Sequence, residues 1–197
     1  MITVFDYGAG NLRSVENTLG ELGCPYELVR DAAGLERAAK IILPGVGHYG
    51  QMTGALDDLG VRRTLVERIA AGVPFLGICL GLQALFETSE EAPEARGLGV
   101  FPGAVRRFPA DARVPHMGWN QLERRRDSGL LAGLGERPFV YFAHSYYVPD
   151  SALAAAVCTY EETYTALLEA GSVFGVQFHP EKSGGVGLRI MKNYVEL

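Results

Sequence analysis

What this 197-residue sequence lacks narrows its function before any motif is considered. It has three cysteines, Cys24, Cys79 and Cys158, odd in number, widely spaced and without a C-x-x-C pair. That argues against a disulfide framework and against a thiolate-held zinc site. The four histidines, His48, His116, His144 and His179, are equally scattered and form no metal-ligand pattern, so neither a metal nor a cofactor is expected. No apolar run reaches membrane-span length, and the start Met1–Asp6 lacks the basic residues and long apolar stretch of a signal peptide. A cytoplasmic protein without membrane association is expected. An excess of positive charge is also missing. Eighteen Lys and Arg against 23 Asp and Glu give a net charge of −5, which argues against nucleic acid or an anionic membrane as the main partner. The one basic run, Glu123-Arg124-Arg125-Arg126-Asp127, reads as a solvated loop.

What is present is a globular composition, 48% apolar and 21% charged, long enough for a sizeable core. There is no repeat, low-complexity tract or linker, so residues 1–197 read as a single domain. The first half alternates strand and helix. Short continuous apolar strands are expected at Ile2–Phe5, Tyr26–Val29, Lys40–Leu43 and Pro74–Ile78, with Pro44-Gly45 stopping the third. Helices are expected over Asn11–Leu22, Val61–Ala71 and Leu80–Phe86; in the first, Leu12, Val15, Leu19 and Leu22 share a face. This pattern implies a mostly parallel sheet covered on both faces. The second half is strand-rich, at Val105–Phe108, Phe139–Phe142, Ala154–Tyr160, Thr165–Glu169 and Val173–Phe178. It suggests an antiparallel or mixed extension of the same sheet, with a closing helix over Gly187–Val195.

Gly77-Ile78-Cys79-Leu80-Gly81 carries the most chemistry. An apolar strand runs into it and a helix runs out, the setting of a nucleophile elbow. A cysteine at such a tip meets the positive end of a helix, which favours the thiolate. Alone, it also fits a small buried cysteine. A thiolate nucleophile needs a base held by a third group. In Gln177-Phe178-His179-Pro180-Glu181, Pro180 biases His179 toward extended backbone, and side chains two apart then project together. Cys79, His179 and Glu181 are therefore the candidate nucleophile, base and orienting acid. The N–H of Leu80 and the glycine-rich turn Pro44-Gly45-Val46-Gly47 are candidate oxyanion donors, since strand C-termini in such sheets converge on one crevice.

These pieces, in this order, resemble the class I glutamine amidotransferases, a triad family with a flavodoxin-like α/β core. Four further motifs are similar to those of the glutaminase subunits of imidazole glycerol phosphate synthases. They are Phe5-Asp6-Tyr7-Gly8-Ala9-Gly10-Asn11-Leu12, Pro44-Gly45-Val46-Gly47-His48-Tyr49-Gly50, Pro115-His116-Met117-Gly118-Trp119-Asn120 and Tyr141-Phe142-Ala143-His144-Ser145-Tyr146-Tyr147. The resemblance spans essentially the whole chain. It implies glutamine hydrolysis through a γ-glutamyl thioester on Cys79. It places Gly45, Val46, Gly47 and Leu80 at the oxyanion and substrate site, and Gln83, Glu91, Ser145 and Tyr146 around the glutamine. His48-Tyr49 departs from the family, where a small residue precedes the aromatic.

The resemblance further implies a heterodimer with a (β/α)8-barrel cyclase subunit. That partner takes ammonia along a dry path and makes imidazole glycerol phosphate and an aminoimidazole carboxamide ribotide, in histidine biosynthesis. The docking face is implied at Asn11, Trp119, Tyr141 and Lys182. Two rivals stay open on the residues alone. One is the glutaminase subunit of another synthase, for pyridoxal phosphate, anthranilate or guanylate. The other is a non-hydrolytic flavodoxin-like cysteine sensor, against which the intact His-Pro-Glu speaks.

Overall fold

In the computed structural model, which describes residues 1–197, the first half of the chain is a regular alternation. Strand β1 (Ile2–Phe5) is followed by α1 (Leu12–Glu21), β2 (Tyr26–Val29), α2 (Ala32–Arg37), β3 (Ile41–Gly45), α3 (Tyr49–Asp58) and α4 (Arg62–Ala70). Then come β4 (Phe75–Cys79) and the one-turn helix α5 (Leu80–Gln83). The second half holds β5 (Phe86–Ser89), β6 (Phe101–Arg107), β7 (His116–Gln121), β8 (Glu123–Arg124), β9 (Phe139–His144) and β10 (Tyr146–Tyr147). It closes with β11 (Ala154–Tyr160), β12 (Glu162–Ala170), β13 (Val173–Val176) and α6 (Gly184–Glu196). No helix is long and apolar enough to cross a membrane.

The main sheet has the order β2-β1-β3-β4-β13-β12-β11-β8. Its first five strands are mutually parallel and the last three antiparallel. The parallel part has the flavodoxin-like order, with β13 in fifth place. Period-two alternation sorts the strand residues onto two cores. Ile2, Val4, Ile42, Leu76 and Ile78 pack with Val15 and Leu19 of α1 and with Ile190, Met191 and Tyr194 of α6. Phe5, Ile41, Leu43 and Phe75 face Leu35 of α2, Met52 and Leu56 of α3, and Leu65 and Ile69 of α4. Strands buried on both faces are what the continuous apolar runs require.

The expected parallel sheet with an antiparallel extension is found, but the extension is β12, β11 and β8 alone. The strands at Val105–Phe108 and Phe139–Phe142 leave the main sheet. β6 joins β5 and β10 in a three-stranded sheet, and β9 pairs with β7 in a two-stranded one. The β7–β9 ribbon alternates buried and exposed residues, so only one of its faces is in the core. Three local expectations are corrected as well. Pro44-Gly45 does not stop β3, because Pro44 and Gly45 still pair with Ile78 and Cys79. The helix expected to reach Phe86 ends at Gln83, since the chain beyond it bonds across to the next segment, through Leu98 N–H to Ala84 C=O and Phe101 N–H to Leu85 C=O. The run at Glu123–Asp127 is not simply solvated. Glu123–Arg124 forms the sheet's edge strand, and Arg124 Nη2 donates to the carbonyls of Leu131 (2.6 Å) and Leu134 (2.7 Å).

Two histidines are built into the core beside the small sheets. His116 stacks on Tyr160 and Phe142, and His144 lies against Phe108 and Tyr164. Burial pulls the pKa of His116 down from 6.5 to about 4 and that of His144 to about 3. The unfolded chain therefore takes up protons below about pH 6.5 that the folded chain refuses until about pH 4 or 3. The stability carried by the neutral rings is complete above the upper value and lost as pH falls through this window. Urea unfolding should show an unfolding free energy, and with it a midpoint, that declines from about pH 7 to about pH 5, before most carboxylates titrate, the free energy by roughly 1–2 kcal/mol per ring. A midpoint flat over that range would contradict the buried neutral assignment.

Candidate active site

Cys79 is the last residue of β4 and directly precedes α5, with φ 54° and ψ −105°. Positive φ is unfavourable for a residue with a side chain, so this turn is strained and must be held by its surroundings. Three glycines let the backbone close around it. A Cβ on Gly77 would strike the Gly81 carbonyl, one on Gly81 would strike the Leu43 carbonyl, and one on Gly45 would lie 2.7 Å from Leu80 Cβ. The expected nucleophile elbow is thus the observed geometry. Leu80 and Gly81 open α5, so their N–H groups have no intrahelical acceptor.

His179 follows β13, and the chain turns at Pro180–Lys182. Its backbone is clamped from three sides. His179 N–H donates to Tyr141 C=O (2.9 Å), Ser183 Oγ donates to His179 C=O (2.6 Å), and Tyr141 N–H donates to Ser183 Oγ (3.0 Å). The ring is buried, and its Nδ1 lies 2.9 Å from Glu181 Oε1. Burial alone would lower its pKa; hydrogen bonding to Cys79 and Glu181 overrules this and raises it to about 10. The ring therefore carries a proton at neutral pH, beside the sulfur. Glu181 Oε1 also accepts from Asn11 Nδ2 (3.4 Å), while its Oε2 is buried without a partner.

Cys79 opens onto a cavity whose walls hold most of the residues expected there. Val46, Gly47 and Leu80 lie on one side. Gln83, Glu91, Ser145 and Tyr146 line the rest. Gly45 does not reach the cavity; it sits beneath the elbow and allows its close approach. Gly47 has φ 103°. The Val46 N–H lies 3.3 Å from the Tyr7 hydroxyl oxygen, which engages it. Gln83 Nε2 donates to Tyr146 C=O (2.9 Å) and Gln177 Oε1 (3.1 Å), which spends both amide hydrogens and leaves Oε1 to face the cavity. With the Glu91 carboxylate, that makes an acceptor-rich wall suited to a ligand ammonium. The unusual His48-Tyr49 pair forms the start of α3. His48 Nδ1 caps Gly50 N–H, and the backbone N–H of Tyr49 donates to Glu91 Oε2 (2.8 Å), so the departure at His48 is accommodated as a helix cap.

Several site residues went unnoticed in the sequence. Gln177 Nε2 donates to Cys79 Sγ (3.6 Å), and the signal was there, since Gln177 lies two residues from His179 on an extended segment. Tyr7, Pro115, Ala143 and His144 lie in motifs that carry the resemblance, but nothing in the sequence assigns them to the site, because they arrive through turns and small sheets that periodicity does not place. Of the four docking-face candidates, Trp119 is 55% exposed and meets Tyr141 edge-on at 6.1 Å, and Lys182 is exposed. Asn11 instead touches Glu181. Met117 and Phe139 are also exposed, on the outer face that Trp119 shares.

A strained elbow cysteine, a histidine paired with a glutamate, and a polar cavity beside the cysteine have the arrangement a triad hydrolase would need, on a flavodoxin-like sheet. The model of the family "Glutamine amidotransferase class-I" matches residues 3–196, and the chain belongs to that family. It is 45% identical over 196 residues to the imidazole glycerol phosphate synthase subunit HisH of Desulfitobacterium hafniense (strain Y51), covering 98% of this chain and 93% of that protein. It is 47% identical over 203 residues to the subunit of the same name from Geobacillus kaustophilus, covering 99% and 96%. A solved structure described as a glutamine amidotransferase superposes with a TM-score of 0.78 at 23% identity over 99% of this chain and 97% of that one, a likeness of fold.

The site's geometry sets an order of thiol reactivity. Cys79 faces a cavity and a histidine, whereas burial pushes the Cys158 thiol up to about 11. Iodoacetamide should label Cys79, together with the half-exposed Cys24, and leave Cys158 free in the native protein. His179→Asn should slow labelling of Cys79 roughly tenfold or more, read by mass spectrometry of the Cys79 peptide. Equal rates in the two proteins would mean that His179 does not act on the thiol.

Proposed function

We propose that the whole chain, acting as one domain, hydrolyses the side-chain amide of glutamine and delivers the ammonia to the cyclase subunit of an imidazole glycerol phosphate synthase. The observation that carries this reading is the Cys79–His179–Glu181 line, whose cysteine opens onto a cavity walled by Gln83 and Glu91. The similarity to two HisH subunits supports the choice of synthase. With its free thiols, the chain suits the reducing cytoplasm.

The chemistry follows from the positions. The Cys79 thiolate attacks the glutamine δ-carbon, and the carbonyl oxygen becomes an oxyanion facing the Leu80 N–H. His179 gives its proton to the leaving nitrogen; the C–N bond breaks and ammonia departs from a γ-glutamyl thioester. Water then attacks the thioester, His179 takes the proton back, and glutamate leaves with the sulfur restored. Glu181 holds the imidazole through Nδ1 and stabilises its cation. Gln83 Oε1 and Glu91 receive the substrate's ammonium, with Ser145 and Tyr146 beside it. Ammonia needs a dry route, since protonation in water removes its nucleophilic pair. The exposed face of Trp119, Tyr141 and Lys182, next to His179 and joined by Asn11 at Glu181, is the surface on which a (β/α)8-barrel partner would close that route.

The second oxyanion donor is where regulation fits. In the free chain the Val46 N–H is engaged by Tyr7, and Gly47 is free to let that peptide rotate. One missing donor costs about 3 kcal/mol in the transition state, a hundredfold or more in rate. Steady-state glutaminase rates should therefore be low for the free chain and at least about a hundredfold higher with the cyclase and its nucleotide ligand. Equal rates in the two states would remove the gating while leaving the triad. Cys79→Ala should abolish turnover and still bind the cyclase, while replacing Cys24 or Cys158 should cost little. Substantial turnover by purified Cys79→Ala protein would end the nucleophile assignment.

A further inference from the structure

Behind the cavity wall lies a chain of buried polar groups that the hydrolysis does not use. His144 Nδ1 lies 2.8 Å from Tyr146 C=O, and a nitrogen facing a carbonyl must carry hydrogen. A neutral ring then has Nε2 as an acceptor. Tyr164 hydroxyl lies 3.2 Å from that Nε2 and has one hydrogen, so it donates there. Its oxygen is left to accept from His116 Nδ1, at 3.1 Å. His116 Nε2 in turn accepts from Asn120 Nδ2, at 3.5 Å, a long outer link. Only one direction of donation satisfies every member: Asn120 to His116 to Tyr164 to His144 to the Tyr146 carbonyl. The Cys158 thiol also adjoins the Tyr164 oxygen. The depressed pKa values of His116 and His144 agree with two neutral rings.

The carbonyl at the end of this chain is the one that Gln83 Nε2 also grips, and Gln83 lines the cavity. We propose that Tyr164 is a positioning residue for glutamine: its hydroxyl anchors the His144 ring at Nε2, and the ring holds the Tyr146 carbonyl where it orients Gln83 with Oε1 toward the substrate. Without that hydroxyl, His144 Nε2 is left a buried acceptor with no donor, and the ring is no longer held on that side. Its Nδ1–H then holds the Tyr146 carbonyl less firmly, and the anchor of Gln83 loosens. The effect falls on the substrate's ammonium end and not on the thiol. Tyr164 is fully buried and contributes no atom to the cavity. The proposal rests on glutamine being the substrate.

Tyr164→Phe removes one oxygen and keeps the ring that packs on Phe108 and Phe142. Measured in the complex with the cyclase, the KM for glutamine should rise about tenfold with kcat within about threefold of wild type. The rate of Cys79 alkylation by iodoacetamide should be unchanged. A general loss of structure would instead slow alkylation and lower kcat together, and that outcome overturns the proposal, as does an unchanged KM. His116→Gln, one link further out, gives a second arm in case Tyr164→Phe does not fold. It should raise KM in the same sense but less, again with alkylation unchanged; no change in KM there would overturn the ordered chain. A wild-type complex that leaves glutamine intact would overturn the functional reading itself, a result distinct from either variant failing.

Discussion

The backbone at Cys79 is the constraint on which the rest of this structure depends. A side-chain-bearing residue at φ 54° costs on the order of 1–3 kcal/mol and persists only where its neighbours leave no alternative. Here β3 and β4 run in register to their ends, so that Gly45 lies beside Cys79, and α5 turns back over β3 through Gly81. Positions without a Cβ at Gly45, Gly77 and Gly81 allow backbone to approach backbone. The strain lifts the sulfur out of the strand's alternation and presents it at the crevice. Had Cys79 continued the strand, its side chain would have entered one of the two cores.

The histidine is brought to that sulfur by a second economy of the fold. β13 lies next to β4 in parallel, with Val176 beside Ile78, so three residues further on the chain must pass the elbow. The clamp between Tyr141, Ser183 and His179 then decides which way the ring points. That clamp uses the inner edge of the β7–β9 ribbon, whose outer face carries Met117, Trp119 and Phe139. A partner pressing on the outer face would thus bear on the strand whose Tyr141 carbonyl holds His179, which gives a short mechanical path from docking to catalysis.

Much of this was legible in the sequence, and unevenly so. The parallel half reads directly because strands buried on both faces are continuous apolar runs, and Tyr26–Val29 has the bounds the sequence suggests. The Cys79 elbow and the His179–Glu181 pairing read because their residue types and spacings are dictated by local geometry. The second half was harder. Which sheet Val105 or Phe142 joins depends on pairings between distant segments, and no periodicity records them. Helix α2 was missed because it is six residues long, and α3 because Gly50 and Gly54 weaken its pattern. The resemblance puts Gln83 at the cavity, where it lies, but gives no sign that its amide hydrogens are held by Tyr146 and Gln177. Tyr164, His144 and His116 gave only core signals, since a buried polar chain has no characteristic spacing.

The central claim is that Cys79 takes the glutamyl group covalently while His179, held by Glu181, moves the proton. Acid-quenched mass spectrometry of the complex during steady-state turnover tests it most directly. The account predicts a γ-glutamyl adduct on the peptide containing Cys79, present during turnover and gone once glutamine is exhausted. Sustained glutamine hydrolysis with that peptide unmodified, or with the adduct on Cys24 or Cys158, would contradict it.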